Sequence, residues 1–193
     1  MNQEIESKFR SLGGIVPAGD VFIRVDEEEL SFLETSLGAP LPRDYRLFLS
    51  EYGASMFGEY VMFQPVHRFP MTISSGGRGP FSHFYGARSE RNQRLINKIA
   101  TFQGRMPDTV IPIGDDGGGN QICLGITGNE KDKVYYWDHN NEWHEEDYLE
   151  DYGAPMLPEV KFQNVYLIAE SFEDFIQRLE KFLGDVTAAQ IGV

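Results

Sequence analysis

The chain has 193 residues, one cysteine and a formal net charge of −13. A single cysteine excludes an internal disulfide, and the negative charge disfavours nucleic acid as a partner because phosphates would be repelled. No apolar run is long enough to cross a bilayer, and the polar first residues lack the apolar stretch of a signal peptide. We therefore expect one cytoplasmic domain over residues 1–193, with an ordered core at about 25–183 and flexible ends.

Two helices are predicted at the start of this core. In "DEEELSFLETSLG", Asp26 has the position of an N-cap, leucines recur at helical spacing, and Gly38 follows the last turn. In "LPRDYRLFLSEYG", Pro42 suits a first turn and Gly53 ends the apolar stripe. The stretch "GEYVMFQPVHRF" is β-branched and aromatic, which predicts one or two short strands.

A long loop and a helix are predicted next. The stretch "PMTISSGGRGPFSHFYG" is rich in glycine, serine and proline, a composition typical of loops. "SERNQRLINKIATF" has a helical apolar pattern, with Ser89 as a candidate cap. Residues 78–105 carry six basic side chains against one glutamate. They could contact an anionic partner, pair with the acidic residues 130–151, or mediate self-association into a homo-oligomer, and the overall charge favours the last two.

The second half is predicted to be rich in strands. "TVIPIGDD", "NQICLGIT", "DKVYYWDH" and "NVYLIAE" have strand patterns, whereas "NEWHEEDY" fits a short strand or a loop. In the closing helix "SFEDFIQRLEKFLG", Ser171 is the cap and the apolar stripe extends to Phe182. Short connections between the central strands exclude parallel crossovers there. The predicted fold class is α+β, with a mainly antiparallel sheet flanked by helices.

The stretch "IPIGDDGGGNQICLGITG" is the leading candidate for a site. It lacks the lysine of a phosphate-binding loop. Twelve positions counted from its two aspartates end at Ile126 and Thr127, where a calcium loop needs glutamate. Cys123 lies inside a predicted strand, and the four histidines match no zinc spacing. We therefore predict no catalytic residue, metal site or cofactor here, and we expect the three glycines to allow a sharp reversal between two strands.

Four pieces of the chain, in their order, resemble one family. They are the leucine-rich first helix, "LPRDYRLFL" with its following glycine, the turn and strand "IGDDGGGNQICL", and the strand "VYYWDH". Together they resemble the SUKH superfamily, which includes yeast cell-wall-synthesis regulators of Smi/Knr type and many bacterial toxin-immunity proteins. The resemblance covers residues 25–141, and residues 171–183 match the usual closing helix. Residues 69–105 and 143–158 depart from the family pattern.

The resemblance implies an α+β domain without known catalytic machinery, and therefore not an enzyme. It also implies a protein partner, for which a basic toxin domain such as a nuclease would suit the negative charge. Neither a nucleic acid nor a membrane partner is expected. Three functions stay open: an immunity protein that neutralises a toxin by binding it, a regulatory or scaffolding domain of cell-wall type, and, ranked last, a divalent-metal hydrolase.

Seven residues are predicted to bind the partner. The glycine-rich turn would present two carboxylates and an amide at the lip of a concave sheet, and the next strand would supply aromatic anchors and charge. The predicted site consists of Asp115, Asp116, Asn120, Tyr136, Trp137, Asp138 and His139. The alternative interpretation is that Trp137 belongs to the core and that the two aspartates only shape the turn.

Overall fold

A computed structural model describes residues 3–68, 77–88 and 94–183. These residues form six α-helices and eight strands. The helices are α1 (Gln3–Ser11), α2 (Glu27–Leu37), α3 (Arg43–Tyr52), α4 (Leu95–Phe102), α5 (Glu145–Tyr152) and α6 (Phe172–Arg178). The strands are β1 (Ile15–Pro17), β2 (Ser55–Phe63), β3 (Gly79–Phe84), β4 (Val110–Asp115), β5 (Gln121–Gly125), β6 (Val134–Trp137), β7 (Val165–Ala169) and β8 (Leu179–Lys181). None of the described helices is long and apolar enough to cross a membrane.

All eight strands belong to one sheet. Its order is β1-β2-β3-β4-β5-β6-β7, and β8 pairs with the second half of β2. Each of these strand pairs is antiparallel. The connections from β4 to β5 and from β5 to β6 are too short for a parallel crossover, as predicted. The α+β class with a mainly antiparallel sheet flanked by helices is therefore confirmed.

Helices α2 and α6 begin at the caps that the sequence supplies. Asp26 accepts a hydrogen bond from the backbone N–H of Glu29 at 3.0 Å, which satisfies a donor that has no partner within the helix. Gly38 ends α2 in the left-handed conformation, with φ of 67°. Ser171 accepts a hydrogen bond from the N–H of Asp174, also at 3.0 Å. The predicted ends of α2 and the start of α6 are confirmed.

A large aromatic core lies between the helices and one face of the sheet. Phe48 of α3 packs against Phe84 of β3, with ring centroids 4.6 Å apart, and against Phe172 of α6 at 5.2 Å. Aromatic pairs at such distances add to the stabilisation from buried area. Ile5 and Phe9 of α1 are buried in the same core. Residues close to the start of the chain therefore support the core, although their sequence predicted no element.

A smaller apolar cluster lies on the opposite face of the sheet. Cys123 and Trp137 are fully buried there, and the ring of Phe102 from α4 lies 5.3 Å from that of Trp137. Because successive residues of a strand point to opposite faces, Ile122 and Leu124 reach the large core while Cys123 reaches the small cluster. The face assignment predicted for β5 is confirmed.

The segment predicted as a long loop contains strand β3, so this prediction is wrong at its second half. Gly79–Phe84 pairs with both β2 and β4. A Cβ at Gly79 would overlap the ring of Phe63, so the strand needs a glycine where it packs against its neighbour. Here glycine marks a crowded strand rather than a loop. The first half of the predicted loop falls largely on residues 69–76, which lie outside the described residues.

Two further predictions are corrected. The stretch "NEWHEEDY" was expected to be a strand or a loop, but its second half belongs to helix α5, whose acidic first turn suits the helix dipole. The closing helix ends at Arg178, and Leu179–Lys181 forms β8 instead of another turn. Phe182, predicted on the buried stripe of that helix, is 42% exposed.

Other predictions concern residues that the structure does not describe. Ser89, the candidate cap of α4, is one of them. Arg94 occupies the N-cap position of this helix, but its side chain forms no capping hydrogen bond. The expected stop at Gly184 and the expected flexible tail also lie beyond residue 183, where the description ends.

Candidate functional site

A tight turn joins β4 to β5. Gly117 and Gly119 have φ angles of 80° and 104°, a backbone conformation that favours glycine. The backbone N–H of Asp116 donates to the carbonyl oxygen of Asn120 at 3.3 Å, which closes the turn. The sharp reversal predicted from the three glycines is confirmed.

Asp116 is the centre of this turn and is only 9% exposed. Its Oδ1 accepts hydrogen bonds from the backbone N–H groups of Gly118 at 2.7 Å and Asn120 at 3.2 Å. Its Oδ2 accepts hydrogen bonds from the Asn120 side-chain amide at 2.7 Å and from the Tyr136 hydroxyl at 2.9 Å. A buried carboxylate needs partners of this kind, since leaving it unpaired costs free energy. Asp116 therefore fixes the shape of the turn.

Asp115 contacts a second group of side chains. Its Oδ1 lies 3.2 Å from His83 Nδ1 and accepts a hydrogen bond from the N–H of Gly117 at 3.0 Å. The Tyr85 hydroxyl lies 3.0 Å from Asp115 Oδ2 and 2.7 Å from Gln121 Oε1. Strand β3, which supplies His83, thus contributes to the site together with β4 and β5.

The surroundings of Asp115 favour its ionised form. Burial alone would raise the pKa of this carboxyl, but the hydrogen bond and charge of His83 act in the opposite direction. The Tyr85 hydroxyl and the Gly117 amide also lower it, so the pKa of Asp115 lies below its usual value. Burial, followed by the charge of Asp115, raises the pKa of Tyr85. The phenol therefore stays protonated and can donate.

Ser82, His83 and Asp115 are the residue types of a nucleophilic triad, but they do not have its geometry. Ser82 Oγ lies 3.3 Å from His83 Nδ1, and Asp115 Oδ1 lies 3.2 Å from the same nitrogen. A triad histidine contacts the nucleophile with one ring nitrogen and the acid with the other. Within the described residues, no three His, Cys, Asp or Glu side chains form a group that could hold a metal ion.

Asn120 and His139 connect the turn to the chain that leaves β6. Asn120 Oδ1 accepts a hydrogen bond from the backbone N–H of His139 at 3.1 Å and lies 2.7 Å from His139 Nδ1. The imidazole lies beside Gly119, where an added Cβ would come within 3.1 Å of ring atom Cε1. The positions of the turn and of His139 therefore depend on each other.

Asp138 is fully buried and holds both ends of residues 139–163, which we call the β6–β7 segment. Its Oδ1 accepts from the N–H of Asn140 at 3.1 Å, and its Oδ2 accepts from the side chain of Asn141 at 2.6 Å. The backbone N–H of Asp138 donates to Asn164 O at 2.9 Å, and the Asn164 side chain donates to Asp138 O at 2.7 Å. The segment thus leaves and rejoins the sheet at one point.

Arg105 connects the basic and acidic parts of the chain. Its guanidinium forms two hydrogen bonds to Glu142, at 2.8 and 2.6 Å, and lies over the rings of Phe102 and Trp137. The hydrogen bond that Arg105 donates to Glu142 is the main cause that raises the pKa of Arg105. The intramolecular pairing proposed for the basic segment is therefore realised at Arg105.

Other basic residues of that segment pair elsewhere: Arg78 with Glu180, and Arg88 with Glu29. Among the basic residues of the segment that the structure describes, Arg105 is the one that forms an ion pair with the acidic residues 130–151. Self-association of the protein stays a prediction.

The structure places all seven predicted site residues on the β4–β5 turn or at the end of β6. Asp115 and His139 are half-buried, and the other five are buried. The buried residues are Asp116, Asn120, Tyr136, Trp137 and Asp138. Trp137 belongs to the small cluster, as the alternative interpretation had it. Asp138 holds the β6–β7 segment, and the other polar residues of the set support the turn. Binding of a partner by this set stays a prediction.

Two contributors to the site were missed by sequence reasoning: His83 and Tyr85, which contact Asp115. They alternate with the buried Phe84 in "SHFYG", which is a strand pattern. The neighbouring glycines and prolines concealed that pattern.

The chain is similar to a protein family, to a bacterial protein sequence and to a solved structure. It matches the model of the SMI1 / KNR4 family (SUKH-1) over residues 24–178. It is 30% identical over 158 residues to the SPbeta prophage-derived uncharacterized protein YokK of Bacillus subtilis (strain 168), covering 77% of this chain and 71% of YokK. A crystal structure of a protein from Pseudomonas syringae pv. tomato is similar with a TM-score of 0.42 and 19% identity, covering 78% of this chain and 97% of that one. The family match confirms the resemblance, and the chain belongs to the SMI1/KNR4 (SUKH-1) family.

Proposed function

We propose that this protein is a non-enzymatic binding domain that neutralises a cognate toxin by direct contact, as an immunity protein. The observation that carries the proposal is the β4–β5 turn. Hydrogen bonds within the domain fix Asp115 and Asp116, while Gly117, Gly118 and Gly119 are exposed beside them. A surface that is ordered before binding loses little conformational entropy when a partner docks.

Family and charge support the same proposal. The SUKH superfamily includes many toxin-immunity proteins, and the relative YokK is prophage-derived, an origin for which an immunity role would account. The net charge of −13 would accelerate encounter with a basic toxin domain and would repel acidic competitors.

The polar groups of the site support binding rather than catalysis. The carboxylates of Asp116 and Asp138 accept hydrogen bonds from their own turns. Burial raises the pKa of the Cys123 thiol, which keeps it in the poorly nucleophilic protonated form. Side chains used in this way give the surface a fixed shape.

The genes next to this one are first searched for a toxin, and the test is co-expression with a toxin found there, with cell growth and complex formation as readouts. We expect growth to be restored and a complex to elute in size-exclusion chromatography. Gly118→Arg adds a bulky cation to the exposed turn and should weaken the complex. Gly19→Arg is the matched control, because Gly19 is also exposed, lies away from the turn in the sequence and has no atom within 4 Å of an added Cβ. Persistent toxicity without any complex would contradict the proposal.

A regulatory or scaffolding domain of cell-wall type is the second candidate. It is favoured by the match to the SMI1 / KNR4 model, since the superfamily includes the yeast regulators of that type. This role predicts that a host protein co-purifies with the chain and that the neighbouring genes encode no toxin. Growth rescue against a toxin would exclude it as the main function.

A further inference from the structure

In the β6–β7 segment, no residue from His139 to Gln163 is buried as a whole, although the Glu142 side chain that pairs with Arg105 is only 4% exposed. Its helix, α5, is the one described α-helix without a buried side chain, whereas each of the others buries at least two. Eight residues form a marginal helix in isolation, and helices of folded domains normally gain stability by burying an apolar face. Helix α5 therefore presents a face that the domain itself does not cover.

That face is aromatic. The rings of Tyr148 and Tyr152 stack with centroids 4.5 Å apart, and Trp143 packs edge-on against both at 5.7 Å. Tyr152 is 61% exposed, and Leu149, three residues before it on the same side of the helix, is 50% exposed. We call these four residues the α5 surface. Trp143 and Tyr148 are half-buried. Exposed apolar side chains grouped with aromatic rings in this way are characteristic of interaction sites.

Uncompensated negative charge surrounds the α5 surface. Four exposed carboxylates of α5 make no ion pair with any residue that the structure describes. They are Glu146, Asp147, Glu150 and Asp151. Lys161 is the one lysine or arginine in the β6–β7 segment. Its Nζ lies 3.7 Å from Oε1 of Glu145, so it pairs with that residue and with none of these four.

The base of the segment is firmly attached, so the α5 surface has a defined position. Asp138 and Asn164 join its two ends, as described above, and Arg105 binds Glu142 with two hydrogen bonds just before Trp143. The Gln163 side chain also donates to Asn141 O at 3.2 Å. A docking partner would meet an ordered surface rather than a free loop.

We infer that the α5 surface binds a cationic segment of a protein partner, in which arginine or lysine side chains alternate with apolar ones. The carboxylates would attract the basic groups, the aromatic rings would pack against them through cation–π contacts, and Leu149 would meet the apolar positions. The inference rests on the proposed binding function and adds, to the β4–β5 turn, a second surface and the chemistry of the partner segment that it would bind. A second copy is disfavoured as the occupant because two chains of charge −13 repel each other.

The probe is a synthetic amphipathic helical peptide of arginine and leucine, and its binding is measured by calorimetry. The triple variant Glu150→Gln, Asp151→Asn, Tyr152→Ala should weaken binding about tenfold, because it removes two charges and the exposed stacked ring. The control is Glu4→Gln, Glu6→Gln, Tyr60→Ala. It makes the same change in charge and removes an equally exposed tyrosine, since Tyr60 is 64% exposed. Equal weakening in both variants, or none in the first, would overturn the inference.

Hydrogen exchange of the unmodified protein gives a second test that does not depend on the folding of a variant. The peptide should slow exchange of the amides of α5 and leave those of α1 unchanged. Protection confined to another region would contradict the docking site. If the protein proves to be a dimer that the α5 triple variant converts to a monomer, a second copy is the occupant and the inference is wrong.

The toxin assay separates this inference from the proposed function. If the unmodified protein and the α5 variant neutralise the toxin equally and bind it equally well, the immunity function holds and the α5 surface is not the docking site. If the unmodified protein fails to neutralise the toxin but binds the peptide through α5, the inference about the α5 surface holds and the immunity function is rejected.

Discussion

The hydroxyl of Tyr136 in β6 donates a hydrogen bond to Asp116 Oδ2, 2.9 Å away at the start of the β4–β5 turn. Burial first, and then the charge of Asp116, raises the pKa of Tyr136, so the phenol remains a donor. The contact connects the turn to a neighbouring strand of the sheet, and its removal measures how much this hydrogen bond contributes to stability.

Tyr136→Phe should lower the free energy of unfolding by about 1–3 kcal/mol, since the aromatic ring stays while a buried carboxylate oxygen loses a donor. Urea unfolding followed by circular dichroism measures the loss. Tyr135→Phe, at the preceding, half-buried position of β6, is the control and should change stability by about 0.5 kcal/mol or less. Similar losses in both variants would contradict the role assigned to Tyr136.

Gly119→Ala should destabilise the protein by about 1–3 kcal/mol, because alanine is strained at φ of 104° and its Cβ would press on the His139 ring. Thermal unfolding measures the effect, and the NMR signals of His139 should shift. Gly118→Ala is the matched control one residue away. Its φ is not in the left-handed region and its nearest contact is 3.4 Å, so little change is expected there. A larger loss of stability in Gly118→Ala than in Gly119→Ala would contradict the role assigned to Gly119.

The lowered pKa of Asp115 predicts a dependence of stability on pH. A carboxyl that binds its proton less readily in the folded state adds stability above its unfolded pKa of about 3.9. That contribution is lost as the pH falls through the lower, folded pKa. The stability difference between the unmodified protein and Asp115→Asn should therefore be largest near neutral pH and narrow below about pH 4.

Urea midpoints at several pH values measure this difference. Asp108→Asn, at an exposed position outside the turn, is the charge-matched control. A difference for Asp115→Asn that stays constant from pH 7 to pH 3 would contradict the stabilising role of the His83 and Tyr85 contacts.

Cys123 should resist thiol reagents in the folded protein, because the side chain is fully buried and burial raises the pKa of its thiol. Reaction with a chromogenic disulfide should follow the unfolding curve in urea. A Ser36→Cys variant adds an exposed thiol and should react at once with one equivalent of reagent. Rapid reaction of the unmodified native protein would show that Cys123 is accessible and would reopen the nucleophile interpretation.

Elements defined by local signals could be predicted from the sequence. Helix α2 lies between its cap at Asp26 and its stop at Gly38, and both signals depend on neighbouring residues alone. The β4–β5 reversal follows from its glycines, and the alternation in β5 assigns Ile122 and Cys123 to opposite faces. Tyr136 and Asp116 were predicted to belong to one site, and the antiparallel pairing of β5 with β6 brings them together.

Elements that depend on distant residues could not be predicted. The apolar stripe of α6 continues past Arg178, but pairing of Leu179 with Phe63 of β2 competes with another helical turn, and that partner is far away in the sequence. Strand β3 was concealed because Gly79 is required by packing against Phe63 rather than by a turn. The contact of His83 with Asp115 was missed for the same reason, since β3 itself was missed.

The mutual hydrogen bonds of Asp138 and Asn164 have a consequence for how this domain can diversify. They complete the register of β6 and β7, in which Trp137 pairs with Val165, without using any residue between them. Residues 139–142 are tied to the scaffold, because they bond Asn120, Asp138 and Arg105. Residues 143–162 can therefore be exchanged, lengthened or shortened while the sheet keeps its architecture. A single fold could in this way acquire new partners by replacing one contiguous stretch of sequence, with no redesign of its interior.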